Sequence, residues 1–235
     1  MESSRGRSLP EALCRKRVYY VSLYGLAFHM NSDGKHPLLI LASLSPRRRY
    51  LLEQAGLKFK VVSSKIDETQ GLGSSPQDYV RSIAEAKATN VARAYPESWV
   101  IGADTIVLVD NTILGKPVSV GEARDMLTKL SGKMHSVLTG YCICCLKQNQ
   151  FFSDVVRTNI LFKELTKEEI EWYIRSGEPF DKAGAYAIQG KGGSFVKRVE
   201  GSYTNVVGLP VCEVLEFLTR EVVSKLPNKE NIYLT

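Results

Sequence analysis

The sequence predicts an α/β protein with a mixed, twisted β-sheet flanked by helices. Short apolar runs, which are typical of buried strands, alternate along the chain with segments whose apolar residues have helical spacing. Some predicted strands are separated by helices, whereas others follow each other across short polar turns such as 147–149. Strands at such mixed spacing, with helices between some of them, predict a mixed sheet.

The first half of the pattern opens with a buried strand from Leu38 to Ala42. The helix that follows has Pro46 just inside its start and Gly56 just past its end, which is the usual asymmetry of helix termini. The next elements are expected in this order: a strand from Phe59 to Ser63, a helix from Ser75 to a point before Pro96, a strand from Trp99 to Val109 and a hairpin strand from Thr112 to Leu114.

The second half continues the alternation of helices and strands. Thr166 and Glu169 have the spacing of a capping box, which predicts the start of a helix. The expected elements are a helix from Val120 to Leu130, strands from Ser136 to Leu146 and from Gln150 to Leu165, a helix from Lys167 to Arg175, a glycine-rich extended segment from Ala185 to Val199 and a closing helix from Leu209 to Val223.

Residues 1–36 differ from the rest of the chain because they show no sustained periodicity and end in a polar segment. We interpret them as an N-terminal appendage that is partly disordered or, since Met30 offers a later start, absent from the natural protein. The folded domain is expected to span residues 37–226. Residues 227–235 are expected to form a short C-terminal tail.

Composition limits the class of protein. About half of the net charge of +6 lies in residues 1–36, so the folded domain is too weakly basic to predict a nucleic-acid-binding face. The five cysteines lack the paired spacing of a zinc site and predict buried free thiols, which favours the reducing cytoplasm. Arg15-Lys16-Arg17 resembles the start of a signal peptide, but no convincing cleavage site follows. No apolar run reaches the roughly 20 residues that span a membrane.

Basic side chains of interest lie in three segments of the sequence, and the first of these suits phosphate. The segment from Ala42 to Arg48 joins the end of a strand to the start of a helix, where free backbone N–H groups and the helix dipole attract anions. The guanidinium groups of Arg47 and Arg48 add planar donors. Lys116 lies between a glycine and a proline on a turn, and Lys87 lies among alanines on one helix face. Each feature alone also fits an ordinary capped helix, a polar turn or a lysine stem lying along apolar surface.

Acidic residues mark two further positions. Asp104 interrupts an otherwise apolar strand, and burial of an unpaired carboxylate is costly, so this residue needs a partner, a metal ion or a bulge. We favour a functional acid, with a buried ion pair as the alternative. Asp67 and Glu68 are adjacent carboxylates just after a strand, which suits a divalent cation, although these residues taken alone favour an exposed acidic turn.

The segment from Ala183 to Gly193 is rich in small residues, which allow the backbone to approach a flat ligand. Gln189 within it could recognise the edge of a base, because its amide has both a donor and an acceptor. A glycine-rich hairpin would have the same composition. The three histidines are not spaced as metal ligands or as a triad, and the sequence contains neither a Walker A loop nor a GxSxG elbow.

Together, and in this order, these segments resemble the Maf family of nucleotide pyrophosphatases. The resemblance covers roughly Leu38 to Leu218 and identifies residues 37–226 as a Maf-like catalytic domain. The motifs that carry it are Ser43-Leu44-Ser45-Pro46-Arg47-Arg48, Asp67-Glu68-Thr69, Gly102-Ala103-Asp104-Thr105, Gly115-Lys116-Pro117 and Ile188-Gln189-Gly190. Several ordered motifs at fitting spacing make the resemblance specific.

The resemblance implies a fold like that of inosine triphosphate pyrophosphatases, with two lobes around a central cleft. It implies metal-dependent attack of water on the α-phosphorus of a nucleoside triphosphate, which releases the monophosphate and pyrophosphate. By resemblance, Asp104 activates the water, and Asp104 and Glu68 bind the metal, which is Mg²⁺, Mn²⁺ or Co²⁺. The positions that match triphosphate-binding residues of the family are Ser43, Arg48, Lys87 and Lys116.

Three positions separate the branches of the family. Arg47, Thr105 and Gln189 match the branch that acts on dTTP and UTP, and on related modified pyrimidine nucleotides, and that removes unwanted nucleotides from the pool. The sister branch prefers 7-methyl-GTP, usually lacks this arginine and has an acid in place of Gln189. Two alternatives stay open, namely a 7-methyl-GTP pyrophosphatase and a non-catalytic nucleotide-binding regulator of cell division. The expected protein is cytoplasmic, binds neither nucleic acid nor membrane, and is compatible with a homodimer.

Overall fold

The computed structural model describes residues 19–21, 27–29, 39–66 and 75–223, in which helices pack on a mixed sheet. The strands are β1 (Tyr19–Val21), β2 (Ala27–His29), β3 (Leu39–Leu41), β4 (Lys60–Val61), β5 (Trp99–Val109), β6 (Thr112–Leu114), β7 (Met134–Cys145), β8 (Gln150–Phe162) and β9 (Val196–Glu200). The helices are α1 (Pro46–Gln54), α2 (Pro76–Ala92), α3 (Val120–Leu130), α4 (Lys167–Arg175), α5 (Tyr203–Val207) and α6 (Val211–Val223).

The main sheet has seven strands in the order β4-β3-β5-β7-β8-β9, with β6 also paired to β5. Strand β3 runs parallel to β4 and β5, whereas successive pairs from β5 through β9 are antiparallel. The predicted α/β class and mixed sheet are therefore confirmed.

Strands β1 and β2 form a separate antiparallel pair within residues 1–36. The boundaries predicted at residues 36 and 226 stay a prediction, because the tail 227–235 and most of 1–36 lie outside the described residues.

One edge of β5 has two different partners. Strand β3 pairs with its first three residues, 99–101, and β6 pairs with its last three, 107–109, while β7 occupies the opposite edge. Residues 102–106 therefore have no strand beside them on this edge in the described part of the chain. We call this stretch the edge gap. Since backbone groups at an edge are open to a ligand or solvent, the edge gap is a natural place for a binding cleft.

Helix α2 lies directly on β5 and β7 because each strand has a glycine beneath it. A Cβ atom on Gly102 would lie 2.4 Å from the backbone oxygen of Ala84, and one on Gly140 would lie 2.3 Å from that of Val80. These distances are too short for any side chain, so the two glycines permit the contact. Ala84 and Ala88, both fully buried, complete the close packing of the helix on the sheet.

The opposite face of the sheet holds two apolar clusters. The first packs Leu52 of α1 and Phe217 of α6 against Ala103 of β5. The second packs α3 and α4 against the end of β5, including Val107. Thr105 stands between Ala103 and Val107 on the same face, because alternate residues of a strand share a face. A polar residue thus separates the two clusters at the level of the edge gap.

Two parts of the chain differ from the prediction. The segment from Ala185 to Val199 was expected to be extended, but 3₁₀ turns occupy Ala183–Ala185 and Lys191–Phe195 before β9 begins. Ala185 and Gly190 have positive φ angles of 58° and 136°, which are incompatible with a continuous strand. Helix α5 was not predicted, because its five residues are too few to show a helical period.

Three of the predicted buried thiols are confirmed, since Cys142, Cys144 and Cys145 are buried and free. Cys212 is exposed instead, because it lies near the start of helix α6 on a face directed to solvent, and Cys14 lies outside the described residues. None of the described helices has the length and apolar character needed to cross a membrane.

His135 on β7 is buried between aromatic rings. Its ring centroid lies 4.8 Å from that of Phe162 and 5.4 Å from that of Tyr186, both in edge-to-face geometry. Its Nε2 atom is hydrogen-bonded to the Tyr186 hydroxyl at 2.8 Å. Burial lowers the pKa of His135 from 6.5 to about 4, so the ring is neutral in the folded protein at physiological pH.

We expect Gly102→Ala to destabilise the protein by about 2–3 kcal/mol, because the added methyl group would push α2 away from the sheet. Urea unfolding followed by circular dichroism measures this change. Gly121→Ala on α3 is the matched control, since a Cβ atom there would meet only the Ser119 hydroxyl at 3.8 Å. Equal stability of the two variants would contradict the packing described for α2.

We expect the free energy of unfolding to fall as the pH drops from 6.5 towards 4, partly through His135. Over this range the unfolded chain binds a proton at His135 that the folded protein does not bind. The loss reaches roughly 3 kcal/mol at pH 4. In His135→Gln this component should vanish, so the slope of unfolding free energy against pH should be shallower by about one proton. Parallel slopes for the two proteins would show that His135 titrates normally.

Candidate active site

A cleft of ≈ 550 Å³ opens at the edge gap of β5. This volume lies within the range of pockets that hold small ligands. All the predicted site residues that the structure describes line this one cleft: Ser43, Arg47, Arg48, Lys87, Asp104, Thr105, Lys116 and Gln189. The predicted metal ligand Glu68 and its neighbour Asp67 lie outside the described residues.

The start of α1 forms one wall of the cleft. Strand β3 ends at Leu41, and Ser45 then caps the helix by accepting a hydrogen bond from the backbone N–H of Arg48 at 3.4 Å. The hydroxyl of Ser43 accepts another from the backbone N–H of Ser45 at 3.2 Å. Pro46 occupies the first turn, where a missing N–H costs little. The positive end of the helix dipole thus faces the cleft.

The guanidinium of Arg48 is held against this wall by three elements. Its Nε donates to the carbonyl oxygen of Gly208 at 2.7 Å, and its Nη1 donates to the Ser43 hydroxyl at 3.2 Å. Its Nη2 donates to the hydroxyl of Thr105 at 3.0 Å, and that hydroxyl lies 2.9 Å from the hydroxyl of Thr139. Arg48 is only 9% exposed, so these contacts fix the plane of a largely buried cation.

The opposite wall contains an ion pair between Lys87 and Asp104. The Nζ atom of Lys87 on α2 lies 2.7 Å from Oδ1 of Asp104 on β5, and the two side chains are only 9% and 14% exposed. The helix reaches this position because it packs over Gly102, two residues before Asp104. The ion pair that was the alternative interpretation of Asp104 is therefore present, and both of its residues line the cleft, while a catalytic role for Asp104 stays a prediction.

The described residues alone do not form a metal site. In the portion of the chain that the structure describes, no group of three or more His, Cys, Asp or Glu side chains is placed to hold a metal ion. Oδ2 of Asp104 accepts no hydrogen bond from those residues, so one carboxylate oxygen at the cleft is available to a cation. Mg²⁺ is commonly held by one or two carboxylates together with substrate phosphates, which this arrangement fits.

Asp181 and Lys182 were not predicted, although both line the cleft. Nη1 of Arg47 donates to Oδ2 of Asp181 at 3.1 Å, and Lys182 contacts the same carboxylate. Partial burial acts to raise the pKa of Asp181, but hydrogen bonds and attraction from Lys182 and Arg47 outweigh it and hold the pKa below its ordinary value. Both residues directly precede the small-residue segment that begins at Ala183, and this proximity could have indicated them.

Lys116 and Gln189 face the cleft with uncommitted side chains. Lys116 is exposed on the turn after β6, and its ammonium group makes no hydrogen bond or ion pair with the described residues. The backbone oxygen of the neighbouring Gly115 accepts from the N–H of Gly184 at 2.9 Å, which fixes this turn to the small-residue segment. Gln189 is half-buried, and its amide likewise makes no hydrogen bond within the described part of the chain.

The chain is similar to known proteins over most of its length. The sequence profile of the Maf-like protein family matches residues 38–221. The dTTP/UTP pyrophosphatase of Syntrophus aciditrophicus (strain SB) is 48% identical over 180 residues, which cover 77% of this chain and 88% of that protein. The dTTP/UTP pyrophosphatase of Geotalea uraniireducens (strain Rf4) is 50% identical over 182 residues, which cover 77% of this chain and 94% of that protein.

Among solved structures, the Ham1 protein of Staphylococcus aureus aligns with a TM-score of 0.44 and 15% sequence identity, over 78% of this chain and 98% of that chain. The family assignment does not depend on this likeness. The profile covers most of the chain, and relatives that are 48% and 50% identical align over most of their own length. The chain therefore belongs to the Maf family.

Proposed function

We propose that this chain hydrolyses dTTP and UTP to the monophosphate and pyrophosphate, by attack of water on the α-phosphorus. The observation that carries this proposal is that separated sequence motifs bring the basic side chains of Arg47, Arg48, Lys87 and Lys116 to one cleft together with Asp104. The names of relatives that are 48–50% identical support the substrate. A cytoplasmic location and a homodimer remain predictions of the sequence.

The triphosphate is proposed to bind between the two walls of the cleft. On one side it meets the start of α1 and the fixed guanidinium of Arg48. On the other side it meets Lys87, with the flexible Lys116 reaching from the turn after β6. Lys116 can move to a phosphate without breaking a hydrogen bond to the described residues. Guanidinium and ammonium groups that are partly shielded from water form strong charge-assisted hydrogen bonds with phosphate.

Asp104 is proposed to accept the proton of the attacking water. Lys87 binds one of its oxygens at 2.7 Å and so fixes the orientation of the carboxylate. The other oxygen has two lone pairs, one that can accept from the water and one that can contact a cation. Asp104 and Glu68 are the residues that would hold Mg²⁺ or Mn²⁺, and such an ion would polarise the phosphate oxygens. Arg48 and Lys116 would stabilise the charge that develops on the leaving pyrophosphate.

Recognition of the base is assigned to Gln189. Its amide can donate to the O4 carbonyl of thymine or uracil and accept from N3–H. Arg47 and Thr105 are the other two positions that separate the branches. Arg47 is paired with Asp181, whereas Thr105 contacts Arg48. Thr105 is hydrogen-bonded to Arg48, so we propose that it acts on the substrate through the position of that guanidinium.

We expect Asp104→Asn to reduce dTTP turnover by about 10²–10⁴-fold, because an amide cannot accept the proton of water. Binding of dTTP should persist, since the removed negative charge lies among cations. A phosphate assay coupled to an inorganic pyrophosphatase measures turnover, and isothermal titration calorimetry measures binding. Asp125→Asn on the exposed face of α3 is the control. Undiminished turnover in Asp104→Asn would refute the role of Asp104, and binding without turnover in the wild-type protein would favour the non-catalytic regulator.

We expect Gln189→Glu to lower kcat/KM for dTTP by about 10–100-fold, because a carboxylate cannot donate to a base carbonyl. The same variant should gain relative activity on 7-methyl-GTP, whose methylated base carries a positive charge. Gln148→Glu makes the same charge change on the exposed turn between β7 and β8. An unchanged substrate profile in Gln189→Glu would show that this residue does not contact the base.

A further inference from the structure

The loop that carries Gln189 is anchored on its N-terminal side by Tyr173 of α4. The backbone N–H of Ala187, two residues before Gln189, donates to the Tyr173 hydroxyl at 3.0 Å. Tyr173 is fully buried, and its ring packs edge-to-face on Phe195 with centroids 5.0 Å apart. A buried aromatic ring has few accessible rotamers, so this hydroxyl is a rigid anchor point.

The same loop is anchored on its C-terminal side by Glu178. Its carboxylate accepts hydrogen bonds from the backbone N–H groups of Lys191 and Gly192, each at 3.1 Å. The Tyr173 hydroxyl donates to the same carboxylate at 2.8 Å, so the two anchors are joined. Gly190 has a φ of 136°, and a Cβ atom there would lie 2.8 Å from both Glu178 oxygens, which explains the glycine at this position.

The charge of Glu178 strengthens the hydrogen bonds that hold the backbone beside Gln189. Partial burial acts to raise the pKa of Glu178, but the N–H groups of Gly192 and Lys191, the Tyr173 hydroxyl and the attraction of Lys182 together outweigh it, so the pKa lies below its ordinary value and the carboxylate stays charged. Charged acceptors form the stronger hydrogen bonds. The amide of Gln189 has no hydrogen bond within the described residues, so its position is determined by the backbone on either side.

We propose that Glu178 and Tyr173 are positioning residues for base specificity, which hold the backbone on both sides of Gln189 so that its amide meets the pyrimidine base. Neither side chain is among the residues that line the cleft. The inference rests on the proposed function, because it assigns to these residues the placement of the group that recognises the base.

The test compares Glu178→Gln, Tyr173→Phe, Gln189→Ala and the double variant Glu178→Gln/Gln189→Ala. Glu200→Gln is the control, since Glu200 is exposed on β9 and forms an ion pair with Arg198. The measurements are kcat/KM for dTTP and UTP, the inhibition constant of tripolyphosphate, which has no base, and the melting temperature. A double-mutant cycle then reports whether Glu178 acts through Gln189.

We expect Glu178→Gln and Tyr173→Phe each to lower kcat/KM for dTTP and UTP by about tenfold, the effect of losing one hydrogen bond to the base. The inhibition constant of tripolyphosphate should change by less than about twofold, and Glu178→Gln should lower kcat/KM little further when it is added to Gln189→Ala.

A merely structural role would instead weaken tripolyphosphate inhibition in parallel and make the losses of kcat/KM in the two single variants additive. Either result would overturn the inference. Unchanged kcat/KM in both single variants would also overturn it while leaving the proposed function intact. Absence of dTTP and UTP turnover in the wild-type protein would overturn both.

Discussion

Helix α2 can rest on strands β5 and β7 only because each strand presents a glycine beneath it. That close contact brings Lys87 to Asp104, and the charged pair then lines the cleft at a depth where both side chains are largely shielded from water. A carboxylate in such a place would be costly without its partner. The packing of apolar and small residues therefore fixes the charge distribution of the site.

The edge gap of β5 explains why charges from distant parts of the sequence meet in one place. Strand β3 leads into α1, which places Arg47 and Arg48 on one side of the cleft. The turn after β6 places Lys116 on the other side. The loop after α4 closes the cleft with Gln189. An ion pair between Arg47 and Asp181 joins α1 to that loop, so the two sides of the cleft are linked by charge as well as by the sheet.

Local patterns predicted the elements of the fold but few of the contacts between them. Proline and serine at the start of α1 and the capping box of α4 are local signals, and both helices begin where these signals place them. The contact of Lys87 with Asp104 depends on how a helix crosses a strand, which periodicity does not encode. Helix α5 escaped prediction because it depends on a Ser202 cap and on Gly208 with a φ of 129°, not on an apolar stripe. Asp181 and Lys182 were missed because single charged residues in a loop carry no pattern of their own, and only their position directly before the small-residue segment could have indicated them.

Attack of water on the α-phosphorus of a pyrimidine triphosphate bound in this cleft can be traced by hydrolysis of dTTP in water enriched in ¹⁸O, with mass spectrometry of the products. We expect one ¹⁸O atom in thymidine monophosphate and none in the released pyrophosphate. Label in the pyrophosphate, or formation of thymidine diphosphate and inorganic phosphate, would show that water attacks a different phosphorus atom.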